Sequence, residues 1–142
     1  MIIFNASMKA RAAMLALPLL ALGAPAGAAE APAHAAKVET LFSTALADIP
    51  GKEGVMLTVE YPPGGTSSAH RHNAHTFVYV LEGSVVMQVR GGSEQTLTAG
   101  QTFYESPSDI HTVSRNASKT QPAKFLVLFI KDKDAPSTLP AK

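Results

Sequence analysis

The stretch His70-Arg71-His72-Asn73-Ala74-His75-Thr76-Phe77-Val78-Tyr79-Val80-Leu81-Glu82-Gly83 decides how this chain is read. Its second half, Thr76 to Leu81, is a dense run of β-branched and aromatic residues, the composition of a strand. Glu82-Gly83 ends that run. Its first half holds three of the chain's five histidines. Side chains alternate on an extended backbone, so His70 and His72 present their imidazoles on one face. Adjacent imidazoles can share one metal ion, and imidazole suits Zn, Cu, Fe and Ni. A third ligand must then come from a strand distant in sequence. His111 opens a later strand behind the loop Ser106-Pro107-Ser108-Asp109 and is the natural candidate.

On either side of this stretch the pattern is also β. Val55, Leu57, Val59 and Tyr61 alternate with Met56, Thr58 and Glu60 until Pro62-Pro63-Gly64-Gly65 stops the strand. Ser84 to Arg90 is a strand, Gly91-Gly92 turns, and Glu94 to Thr98 follows. Ala99-Gly100 turns again before Gln101 to Glu105, and His111 to Arg115 and Lys124 to Lys131 complete the set. Val38, Leu41, Phe42, Ala45 and Leu46 fit either a turn of helix or an edge strand, ended by Asp48-Ile49-Pro50-Gly51. About eight short strands, with turns roughly every eight to twelve residues, predict an all-β sandwich or small barrel.

The 142 residues suit one domain, and a hydrophobic content of 46% can build its core. Residues 1–29 read as a secretory signal: Lys9 and Arg11, then an apolar block from Ala12 to Ala24, then small residues up to Ala28 or Ala29. Met8 is a better signal start than Met1. The expected location is periplasmic or secreted, with no membrane association of the mature form. Loss of Lys9 and Arg11 takes twelve bases to ten against eleven acids, a net charge of −1. That balance, and the lack of a basic cluster with interleaved aromatics, argues against nucleic acid. No cysteine occurs, which excludes disulfides, thiolate metal sites and a cysteine nucleophile. Neither a phosphate-binding glycine loop nor a Gly-x-Ser-x-Gly elbow is present.

Gly64-Gly65, His70-x-His72 and the apolar run to Gly83 together resemble the first motif of the cupins. Gly100 to Asn116, with Pro107, His111 and Asn116, resembles the second. The resemblance implies a double-stranded β-helix (jelly-roll) cupin barrel over residues 51–131, with an N-terminal arm at 30–50 and a C-terminal tail at 132–142. It also implies a divalent transition metal (Fe, Zn, Ni, Mn or Cu), a small-molecule ligand and a homodimer. The family's first motif supplies a Glu ligand seven positions before its closing Gly, but here that position is Thr76. A hydroxyl is a poor substitute for a carboxylate at a divalent ion. His75, one position earlier, and Glu105, on the strand feeding His111, are the two candidates for the missing ligand. Glu105 is preferred, as a ligand or as a general base beside the metal, because a carboxylate within Phe103-Tyr104-Glu105 is costly unless paired or metal-bound. The expected metal set is His70, His72 and His111 with His75 or Glu105, serving a metal-dependent oxygenase or isomerase or a non-catalytic binding module. Phe77, Tyr79 and Leu81 form a stripe suited to core or dimer packing, and Asn116-Ala117-Ser118 matches a glycosylation sequon.

Overall fold

The computed structural model describes residues 35–142. The signal segment 1–29, its two candidate start sites and His34 lie outside the described residues. Eleven strands follow in order: β1 (Lys37–Ala45), β2 (Lys52–Tyr61), β3 (Thr66–Ser67), β4 (His70–Arg71), β5 (His75–Glu82), β6 (Ser84–Val89), β7 (Gln95–Thr98), β8 (Thr102–Glu105), β9 (His111–Asn116), β10 (Ala123–Asp132) and β11 (Leu139–Pro140). They form two sheets. One runs β1-β2-β10-β5-β8, and the other runs β11-β4-β9-β6-β7 with β3 paired to β9.

The expectation of a closed jelly-roll barrel is corrected here. Both sheets are open among the described residues: the ladders end at β1 and β8 in one and at β11 and β7 in the other. The reason lies at the corners. β2 runs into Pro62-Pro63, which have no N–H to extend a ladder, and β3 and β4 are only two residues each. Side-chain packing, not continuous strand pairing, holds the two sheets together. Val55, Leu57, Val78, Val80, Phe125 and Val127 of the first sheet share one core with Val85, Met87 and Leu97 of the second.

Register fixes which residues face that core. Val55 pairs with Phe129, Phe129 with Thr76, and Thr76 with Glu105, so these four lie in one row on one face of the first sheet. The alternate positions face outward. Tyr104, Phe77, Leu128, Met56 and Phe42 are also cross-strand partners in sequence, a second row on the opposite face. The Phe77, Tyr79 and Leu81 stripe lies on this outer face and is exposed.

The ambiguous segment within the arm at 30–50 is β1, an edge strand antiparallel to β2. The segment read as a tail is partly built into the fold, because β11 pairs with β4. A buried charge anchors it. Lys131 is paired with Glu53 and donates to the Ala135 carbonyl at 2.5 Å, while Asp134 N–H donates to Glu53. Gly83 joins β5 to β6 at φ +70°, and a Cβ there would lie 2.5 Å from the Pro122 carbonyl oxygen.

Asn116 is buried, and its amide donates to the carbonyls of Pro62 (3.0 Å) and Gln121 (2.8 Å) while its Oδ1 accepts from Ser118 N–H. A glycan cannot be attached to an amide held this way, so the sequon is a structural clasp across the β2 and β9 ends. Asn116→Ala orphans these buried groups and is expected to cost about 2–3 kcal/mol. Urea unfolding checks it; a loss under about 0.5 kcal/mol would refute the clasp.

Candidate metal centre

His70 sits on β4 directly opposite His111 on β9, so the two rings are same-face neighbours with centroids 5.1 Å apart. His72 lies just beyond β4, its ring 4.8 Å from that of His70. Each of the three imidazoles offers one ring nitrogen, and these atoms all lie within 4.8 Å of one another. Asn73 takes a left-handed conformation, φ +48°, and turns the chain out of this row into β5.

The outer ring nitrogens are already committed. His70 Nδ1 lies 2.7 Å from the Ser68 carbonyl, and His72 Nδ1 lies 2.6 Å from the Ser137 carbonyl. A carbonyl only accepts, so each Nδ1 carries the proton and each Nε2 presents a lone pair. Burial lowers the pKa of both His70 and His72. The backbone hydrogen bonds oppose this, and the lowering prevails. Both rings are therefore neutral near pH 7, the form that binds a metal.

Glu105 lies beside this cluster. Its side chain is almost fully buried, with Oε1 3.2 Å from His111 Nδ1 and Oε2 4.0 Å from His72 Nε2. Glu105 Oε2 and His111 Nε2 have no hydrogen-bond partner among the described residues. An orphaned buried carboxylate oxygen beside an orphaned imidazole nitrogen is costly without a cation, and a divalent ion satisfies both. Bond lengths near 2.0–2.2 Å would require the donors to draw together by roughly 1 Å. The donor set thus fits a transition metal, and a cluster able to hold a divalent ion is present.

Thr76 explains where the carboxylate went. Thr76 and Glu105 are Cα partners across β5 and β8. The motif position that lost its Glu is faced, one strand over, by a Glu that fills the same inner row. Thr76 Oγ1 is buried without a partner beside it. His75 is not brought to the cluster. Strand alternation places Thr76 inward and His75 outward, where its Nδ1 meets the Tyr104 hydroxyl at 2.7 Å. The Ser137 carbonyl is the contribution that sequence reading missed. A backbone acceptor in a Pro- and Ser-containing terminal segment leaves no side-chain signal.

These residues match a known pattern: residues 57–129 fit the family model described as cupin domain. The chain belongs to the cupin family. No curated protein matches it. Among solved structures the cupin is similar to an oxalate oxidase determined with the substrate analogue glycolate, at 23% identity and a TM-score of 0.59, covering 76% of this chain and 56% of that one. It is similar to an uncharacterized conserved protein of Klebsiella pneumoniae at 15% identity and TM-score 0.61, covering 79% and 90%. A DMSP lyase of Ruegeria pomeroyi aligns at 22% identity and TM-score 0.53, covering 58% and 41%. The cupin thus spans about half the length of the lyase and oxidase, and these likenesses concern the fold.

The cluster forms one wall of a cavity of about 630 Å³ between the sheets. Leu57, Val59, Val78, Phe125 and Val127 supply much of the remaining wall, and Thr138 to Pro140 lie at its rim.

Two outcomes follow for the cupin. Unfolding exposes His70 and His72, whose pKa then rises to the ordinary value near 6.5. The unfolded chain takes up more protons, so stability of the metal-free protein is full above about pH 6.5 and falls as pH drops below it. Denaturation midpoints across that range check this, and His72→Gln is expected to flatten the fall. Removal of residues 137–142 takes away the acceptor that holds the His72 tautomer. It is expected to weaken metal affinity about 10–100-fold; titration showing unchanged affinity would dismiss that role for Ser137.

Proposed function

We propose that this cupin is an exported, metal-dependent enzyme acting on a small molecule, with oxygenase or isomerase chemistry. The observation that carries the reading is the buried Glu105 carboxylate, short of one partner, among three imidazoles on a cavity wall. His70, His72 and His111 would hold the ion. When bound, it would supply a Lewis acid and a site where substrate and a second reactant can meet. Glu105 would be a fourth ligand or would move a proton at the substrate carbon next to the bound oxygen. The apolar walls would exclude bulk water from that proton transfer.

Export rests on the order of charge, apolar block and small residues in segment 1–29. A homodimer would use the exposed row Tyr104, Phe77 and Leu128, where apolar side chains face solvent or sit half-buried. A second reading, a non-catalytic binder, is favoured by how apolar the rest of the cavity is.

One experiment separates them. Purified protein is analysed for bound metal and screened against small hydroxy and keto acids, with and without chelator. Uptake of about one ion per chain is expected, with turnover that dies on chelation. Glu105→Gln is expected to cost 100-fold or more in turnover, within the range of about 10²–10⁴ for general acid–base groups. Ligand stabilisation that survives chelation, without turnover, would establish the binder.

A further inference from the structure

Three hydroxyls lie on the same cavity beside the metal cluster. Tyr61 Oη is 2.6 Å from Ser67 Oγ and 2.8 Å from Ser114 Oγ. Tyr61 comes from β2 in the first sheet, while Ser67 and Ser114 are register partners on β3 and β9 in the second. All three line the cavity that His70, His72 and His111 line. Tyr61 and Ser114 are buried, at 1% and 4% exposure.

Hydrogen counting makes this group unusual. Three hydroxyls in a row carry three protons but make only two hydrogen bonds. Whichever way the chain is oriented, one proton is left over. Neither serine hydroxyl has another side-chain or backbone partner among the described residues. The phenol does not lose its proton to resolve this, since burial raises its pKa and the Glu105 charge adds to the rise. Because all three residues line the cavity, the spare donor is available to a ligand there. Ser114 is three residues from His111 along β9, roughly 7–10 Å at strand rise.

We propose that Tyr61, Ser67 and Ser114 form a second subsite that donates a hydrogen bond to a neutral oxygen of a ligand whose acidic end reaches the metal. This rests on the metal reading above. The sign of each end follows from the wall. Among the described residues the lining contains no Lys or Arg, so a second carboxylate there would be buried without a counter-charge. A ketone or hydroxyl oxygen needs only the one donor that is spare. The ligand class is a short oxo or hydroxy carboxylic acid whose intervening carbons meet the apolar walls.

The test compares heptanoate with the oxoheptanoate that carries a ketone next to its terminal methyl. Both are titrated calorimetrically into Mn(II)-loaded wild type and Y61F/S67A/S114A, which lacks all three hydroxyls. The oxo acid is expected to bind wild type about tenfold more tightly than heptanoate. The triple variant is expected to bind the two acids alike, with heptanoate affinity and Mn(II) uptake unchanged. A purely structural hydroxyl group would lower the melting temperature and leave the preference intact. Equal binding of both acids by wild type, or a preference that survives in the variant, overturns the subsite. Should the triple variant not fold, wild type is titrated with oxoheptanoates that carry the ketone at each chain position: tight binding confined to one position upholds the subsite, and equal binding of all overturns it. Heptanone, which has the ketone and no acid, separates the two readings. A wild type that takes up no Mn(II) overturns the metal centre. Heptanone binding to metal-free wild type that Y61F/S67A/S114A loses still upholds the subsite, and binding that the variant retains overturns it.

Discussion

A carboxylate buried between two apolar sheets has to be neutralised, and that requirement organises this molecule. Glu105 brings a carboxyl group to the inner face of β8, where its Oε2 has no hydrogen-bond partner among the described residues. Three imidazoles gather around it. Two have their protons turned outward to the carbonyls of Ser68 and Ser137, and their lone pairs turned inward. Such a group favours a divalent ion over a proton: burial makes His70 and His72 resist protonation, and a carboxylate offsets part of the ion's positive charge.

The two-sheet architecture makes this assembly possible. Sheet register places Val55, Phe129, Thr76 and Glu105 in one row, while β4 and β9 face it from the other sheet. Had the strands closed by continuous pairing, the corners near Pro62 and β3 would carry backbone ladders. Instead the interior stays wide enough for a cavity of about 630 Å³. The C-terminal segment then reaches back to that rim. A buried Lys131–Glu53 pair holds the turn that starts the return, β11 pairs with β4, and the Ser137 carbonyl accepts the hydrogen bond from His72 Nδ1–H.

Cross-strand position also explains how the motif can lose a carboxylate and keep one at the centre. In a sheet, a residue and its register partner project into the same space. Thr76 and Glu105 are 29 positions apart in sequence but adjacent across β5 and β8. A motif that counts along one strand cannot register a compensating residue on the next.

Local sequence determined what depends on period and composition. The alternation of Val55 to Tyr61 and the dense run Thr76 to Leu81 specified strands, because a half-buried pleat sorts side chains by twos. The pairing of His70 with His72 on one face followed from the same period, and the two-part motif named the family and His111. His75 lies outside the cluster for that very reason: it is one position out of phase with Thr76. What only the tertiary structure decided depends on contacts between distant segments. The strand pairing left both sheets open, the register brought Glu105 against Thr76, and a terminal stretch poor in strand signals supplied a carbonyl to His72. Those outcomes are set by which backbones lie side by side, and a linear pattern carries no term for that.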